Sequence, residues 1–349
     1  MKLTTSFRAI PCLLLSLYGV PSVADTQAVE PEAATGEAYI ASLATESLLT
    51  DIEYYNGSFV AVGERGHVLV SKNGAQWQQM NVPTQSLLTA VTFNGEAIWA
   101  VGHDAVILGS KDDGKSWQVA QFFPELERPL LDVFFKDPDN GIAIGAYGIF
   151  YRTTDGGNSW LREYHTSFLH PDDREYVESL KADDPAFYKE EMASILPHLN
   201  RVSYSEGRLY VAGETGLVAY SDNFGESWVR VDTGYYGSFF DIKSLQDGRV
   251  LVAGLRGSAY ISSDEQLQNW QRINTQTTTT FNSVIPIDKQ QTLLIGNNGI
   301  QAWLSNDNVQ LTHTDDGKAL VAAILANNQL VAVSEVGIKS LALARQDSK

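Results

Sequence analysis

Cysteine is almost missing from this chain: 349 residues contain one, Cys12. A structural disulfide framework is therefore excluded, and stability in an oxidising compartment has to come from the core. Long apolar runs are missing too. No segment approaches the roughly 18 to 20 apolar residues that a membrane-spanning helix needs. Positive charge is scarce, with 25 Lys and Arg against 42 Asp and Glu, for a formal net charge of −17. Such a surface repels phosphate backbones and anionic headgroups, which argues against nucleic acid and against direct insertion into lipid. It also keeps a protein soluble.

What is present points to β structure. There are 28 glycines and 15 tyrosines but 3 methionines, and 44% of the residues are apolar, enough for a sizeable core. Residues 1–24 have the order of an export signal: Lys2 and Arg8, an apolar stretch from Leu13 to Val20, then Ser22-Val23-Ala24 as a cleavage site. Cys12 lies ahead of most of that stretch, unlike a lipoprotein signal. The sequence thus predicts export to the periplasm, with secretion as the second choice. Cleavage leaves 23 basic against 42 acidic residues, a formal charge of −19.

Residues 110–117 (Ser-Lys-Asp-Asp-Gly-Lys-Ser-Trp) are nearly repeated at 153–160 (Thr-Thr-Asp-Gly-Gly-Asn-Ser-Trp) and at 221–228 (Ser-Asp-Asn-Phe-Gly-Glu-Ser-Trp). Residues 71–77 and 262–270 are shorter and longer versions. A second landmark, glycine-x-x-glycine, stands at Gly63/Gly66, Gly145/Gly148, Gly213/Gly216, Gly254/Gly257 and Gly296/Gly299, with variants at Gly102/Ala105 and Ser334/Gly337. Successive landmarks lie 39, 43, 68, 41, 42 and 38 residues apart, which marks seven units of about 40 residues and one insertion of about 27. Short alternating apolar runs separated by turn residues read as antiparallel strands. Four strands in about 40 residues make a propeller blade, so the expected fold is an all-β, seven-bladed β-propeller over residues 47–345.

Within a blade, the glycine pair suits the turn between strands 2 and 3, and the octet the turn between strands 3 and 4. Ser110, Thr153 and Ser221, with Asp112, Asp155 and Asn223, have side chains that accept backbone N–H bonds inside the turn. Gly114, Gly157 and Gly225 supply an unusual conformation, and Trp117, Trp160 and Trp228 wedge between blades. A device present in five blades is a joint rather than one active centre.

The octets resemble the Asp-box, or bacterial neuraminidase repeat. The fuller blade text, Leu-x-Asp-Val-x-Phe followed by Ala-Val-Gly and Gly-x-Ile-Leu-x-Ser, is similar to the photosystem II stability/assembly factor-like family. The resemblance covers most of residues 47–345. It implies a non-enzymatic seven-bladed propeller, without cofactor, that binds an integral-membrane protein or its periplasmic loops. In a phototroph that complex would be photosystem II; elsewhere it would be an envelope transporter. The acidic balance of this chain calls for a basic loop on the partner, with association weakened by salt. A monomer is expected.

Three local expectations follow. The seventh unit ends at Leu341 without an octet, and Glu37 to Leu43, within the N-terminal segment 25–46, is expected to supply its fourth strand and close the ring. The insertion, about residues 165–196, reads as an acidic helical hairpin between blades 3 and 4, with Pro185 opening its second helix. As a partner-binding cap it would present Asp172, Asp173, Glu175, Glu178, Glu190 and Glu191; otherwise it is a decorative loop. The residues inside the glycine turns, Glu64, Arg65, His103, Asp104, Tyr147, Glu214, Arg256, Asn297 and Glu335, are expected to ring one mouth of the channel and form a candidate contact surface.

The enzymatic rival is a sialidase-like or other carbohydrate-active propeller. Sialidase chemistry needs three arginines on the substrate carboxylate, a Tyr/Glu nucleophile pair and an acid. The Arg-Ile-Pro signature is absent and Arg65 and Arg256 are the only arginines in the expected mouth, so no catalytic residue is assigned. His165, His170 and His198 lack the partners of a metal site and read as solvated, and Asp137 to Gly141 reads as a strand turn.

Overall fold

A computed structural model describes residues 27–28, 36–263, 266–305 and 308–343. The export signal expected at residues 1–24 lies outside the described residues. The rest forms seven antiparallel sheets. Blades 1 to 6 (Leu49–Met80, Leu88–Gln121, Leu130–Glu163, Leu199–Val231, Phe239–Arg272 and Phe281–His313) each run four consecutive strands in simple up-and-down order, and blade 3 adds Gln27–Ala28 as a fifth. Blade 7, Leu320–Leu341, has three. The first strand of each blade neighbours the first strand of the next, and blade 7 returns to blade 1, so the ring closes.

Packing between blades explains the spacing of the sequence landmarks. Trp117 packs among Val60, Val62 and Leu108 at the seam of blades 1 and 2. Trp160 packs edge-on against Trp99 and Phe135 at the next seam, and Trp228 against Phe150 and Phe168 at the one after. All three are buried, so each octet tryptophan wedges back onto the preceding blade.

The octets form the expected joint. Ser110 Oγ accepts from Gly114 N at 3.0 Å, Asp112 Oδ1 accepts from Ser116 N at 2.8 Å, and Trp117 Nε1 donates to Gly114 O at 3.0 Å. Thr153 with Gly157, Asp155 with Ser159, Ser221 with Gly225 and Asn223 with Ser227 repeat the first two bonds. The hydrogen bonds from Ser116 hold the Asp112 carboxyl down at about 2.

The glycine turns need glycine for two reasons. Gly66 has φ of +70°, the left-handed region. Gly63 is extended instead, and its side-chain position is filled by the Leu48 carbonyl. Between them Arg65 is itself left-handed, at φ 55°.

Ring closure differs from expectation. Residues 36–43 form no strand with blade 7. They run as a strap beside blade 1, where Ala38 N donates to Val82 O at 2.7 Å and the Gln79 amide bonds both Ala41 N and Tyr39 O. These partners satisfy the segment without a strand ladder. A short 3₁₀ turn, Ala44–Glu46, then fits into the last seam. The seam is closed by side chains: Ala44, Ile52, Phe59 and Trp77 pack with Val331, Val333 and Ile338.

The insertion is the expected hairpin. Helix α1 spans Pro171–Asp183 and α2 spans Pro185–Ile195, with the Asp184 carboxylate accepting from Phe187 N at 3.0 Å as N-cap. Val177, Tyr188, Met192 and Leu196 anchor it on the core of blades 3 and 4.

Candidate functional site

Every first strand carries the same irregularity. Its register slips between the first and third residues: Leu49/Asp51, Leu88/Ala90, Leu130/Asp132, Leu199/Arg201, Phe239/Asp241, Phe281/Ser283 and Leu320/Ala322. The bulged second residue reaches the next blade in four cases. Thr50, Thr89, Asn200 and Asn282 bond the carbonyls of Leu88, Leu130, Phe239 and Leu320 at 2.6 to 2.8 Å. The third residue turns to the axis. Asp51, Asp132 and Asp241 there accept the backbone N–H of Val91, Val202 and Val284, each in the following blade.

These carboxylates meet one guanidinium. Arg201 lies 3.4 Å from Asp132, 3.8 Å from Asp241 and 3.9 Å from Asp51, and Lys243 adds a second cation 3.8 Å from Asp241. They line a central cavity of about 300 Å³ bounded by the first strands of all seven blades, with Glu53 beside them. Burial raises the Asp51 carboxyl and pushes Asp132 up to about 6, with Arg201 opposing both. Burial likewise lifts Glu53 to about 7. Burial works against the Arg201 charge, but the three aspartates outweigh it and hold that pKa above its ordinary value. The cluster fastens four blades to one hub.

The residues expected at the channel mouth occupy a different place. Glu64, Arg65, His103, Asp104, Tyr147, Glu214, Arg256, Asn297 and Glu335 sit on the face that carries the turns between strands 2 and 3, and none of the nine lines the central cavity. Several hold the start of their own blade's first strand or the segment leading into it. Asp104 accepts from Ser86 Oγ at 2.5 Å, Glu214 lies 3.3 Å from His198, Asn297 accepts from Asn282, and Glu335 accepts from Ala319 N. Arg65 stacks over Tyr39, and Arg128 over Tyr147.

The hairpin stands on that same face, because the connections from strand 4 to the next blade emerge there. Arg128 Nη1 donates to the Ala193 carbonyl and Tyr147 meets His198 edge-on, tying α2 to the turn of blade 3. Asp172, Asp173, Glu175, Glu178 and Glu190 are exposed, and Glu191 is half-buried. Glu178 pairs with Arg174 at 2.7 Å. His165 is not solvated as expected: it is buried, with Nε2 3.0 Å from Glu163, which also binds Arg152. Asp137 accepts from the N–H groups of Asp139 and Asn140, the expected strand turn.

Exposed apolar residues separate the two faces. Among the described residues, eleven large apolar side chains are well exposed. Seven of them, Tyr39, Ile40, Leu43, Tyr147, Tyr176, Phe187 and Tyr236, belong to the hairpin face or the segments that enter it. Of the other four, Tyr204 adjoins the turn between strands 1 and 2, Leu161 and Val229 directly follow an octet turn, and Leu343 follows the last strand of blade 7.

The family profile described as "Photosynthesis system II assembly factor YCF48" matches residues 31–126 and 120–284. That is more than half of the chain, which belongs to this family. The photosystem II assembly protein Ycf48 of Synechococcus sp. (strain JA-2-3B'a(2-13)) is 23% identical over 249 residues, covering 69% of this chain and 62% of that protein. The chain thus matches less than two thirds of that relative's length. A structure of YCF48 bound to D1 peptide superposes with a TM-score of 0.64 at 15% identity, covering 88% of this chain and 97% of that one. YCF48 from Cyanidioschyzon merolae gives a TM-score of 0.63 at 16% identity, covering 88% and 98%.

Proposed function

We propose that this propeller is a non-enzymatic, exported accessory factor that docks its hairpin face onto an integral-membrane protein during assembly of a membrane complex. The observation that carries the reading is the gathering of exposed aromatic and aliphatic side chains on the face that bears the acidic hairpin. Exposed apolar surface rimmed by charge marks an interaction site. Family membership supports the assembly role, and the D1 peptide held by a related structure supports a protein segment as the thing bound. Photosystem II is the complex proposed for a phototroph, and an envelope transporter elsewhere. The acidic composition favours a basic loop on the partner.

The hub in the channel is not read as a catalytic site. Its carboxylates cap backbone N–H groups and face Arg201, so they are committed to holding blades together. Capture from detergent-solubilised membranes tests the proposal. The wild-type protein should retain an integral-membrane protein, less of it as salt rises. The variant Tyr39→Ser/Tyr147→Ser/Tyr236→Ser should lose it, while Tyr204→Ser on the opposite face should not. Equal retention by all three proteins would refute the docking face.

A further inference from the structure

A groove of about 840 Å³ separates α1 from the outer strand of blade 4, Val229–Val231. All three strand residues line it. Successive strand residues point to opposite faces, so three in a row along one groove means that it follows the strand's edge. The sheet ends at that strand, and among the described residues no backbone hydrogen bond leaves the edge. Two other blades cover theirs. Blade 3 takes Gln27–Ala28 as a fifth antiparallel strand, with Ala28 opposite Leu161 and Gln27 opposite Arg162. Blade 1 is followed by the strap at residues 38–41. Two outer edges of this ring thus carry extended chain; among the described residues those of blades 2, 4, 5 and 6 carry no further strand, and that of blade 4 is the one facing the hairpin groove.

The chemistry of the groove selects its occupant. Val229 is 50% exposed and Tyr236 is 75% exposed, giving an apolar strip along one side. Both arginines on its walls are engaged: Arg174 with Glu178 at 2.7 Å, and Arg230 with the carbonyls of Phe168 and Thr215. Glu175 and Asp232 line it too, and neither forms an ion pair among the described residues. Arg230 also feels the Asp232 charge, and the lining as a whole, Arg174 and Arg230 against Glu175, Glu178 and Asp232, is net negative.

We propose that this groove receives an extended peptide segment of alternating basic and apolar residues, added as a fifth strand to blade 4. Main-chain bonds to the open edge supply affinity, and alternate side chains supply selection. The apolar ones pack on Val229 and Tyr236; the basic ones reach Glu175 and Asp232. This rests on the reading that the partner is a protein, and it names the part of that protein which is held.

Fluorescence polarisation with short labelled peptides tests it in the full-length protein at low salt. A Lys–Val alternating peptide should bind. A Glu–Val peptide, and a Lys–Val peptide N-methylated at alternate amides, should bind at least about tenfold more weakly, the loss expected when an interface anchor fails. Tyr236→Ser should weaken the Lys–Val peptide by roughly tenfold, and Glu175→Lys by about threefold. Equal binding of the N-methylated peptide would overturn strand addition. Indifference to both substitutions, or no binding at all, would overturn the site. If capture of the membrane protein persists when these peptides fail, the groove is wrong and the docking face stands.

Discussion

The corners of the ring and its hub are built on the same sevenfold geometry, yet they use it in opposite ways. At the corners, Ser110, Thr153 and Ser221 hold the same bond to a glycine N–H, so residue and role repeat together. At the hub the bulge repeats in all seven blades, but the residue after it is Asp51, Ala90, Asp132, Arg201, Asp241, Ser283 or Ala322, and all but Ala90 line the cavity. Repetition of residues marks what each blade needs for itself. Repetition of geometry with different residues marks what the ring needs once. A corner failure is local, whereas a hub failure exposes several blades together.

The largest test of that contrast is Arg201→Met. Removing the cation leaves Asp51 and Asp132 without an ion-pair partner and Asp241 with Lys243 alone, a loss of about 3 to 5 kcal/mol in denaturant unfolding at pH 7.5. Acidification should restore part of it, because the carboxyls then take up protons. A loss no larger than a corner substitution would erase the distinction.

A smaller effect is the pH dependence of the intact hub. Glu53 at about 7 and Asp132 at about 6 stand above their ordinary values of 4.5 and 3.8. The native ring therefore holds more protons than the unfolded chain in this window, and stability falls as pH rises from roughly 5 to 8. Corner carboxyls act in the other sense. Asp112, held at about 2, contributes stability present above pH 4 and lost as the pH falls towards 2. Glu53→Gln should flatten the upper slope, removing about 2 kcal/mol of the change. A slope unaltered by that substitution would place the proton elsewhere.

The smallest effect belongs to one corner. Asp112→Ala removes acceptors for Ser116 in a single turn and should cost about 1 kcal/mol. Thermal unfolding measures it, and the neighbouring blades should keep their amide protection.

The same contrast explains how legible the chain was. Blade number, octet bonding and the hairpin could be read because Gly, Trp and Pro recur or stand where one conformation is required, as at Gly66, Trp117 and Pro185. The hub could have been suspected. Leu49-Thr-Asp51, Leu130-Leu-Asp132 and Phe239-Phe-Asp241 stand at equivalent positions. The aspartate stands in the blade text Leu-x-Asp-Val-x-Phe, but nothing in one dimension says that a bulge aims it at the axis. The strap at residues 36–43 was misread because its partners are the Gln79 side chain and the Val82 carbonyl, which leave no alternating pattern. His165 looked solvated because its partner, Glu163, belongs to the preceding strand and its cover, Phe168, to the insertion.

The account stands most directly on the difference between the two faces. A photoactivatable phenylalanine analogue placed at Tyr236, on the hairpin face, or at Tyr204, on the other, can be irradiated in intact envelopes. Crosslinks to an integral-membrane protein from position 236 and none from 204 are predicted. Equal crosslinking from both positions, or from 204 alone, would contradict it.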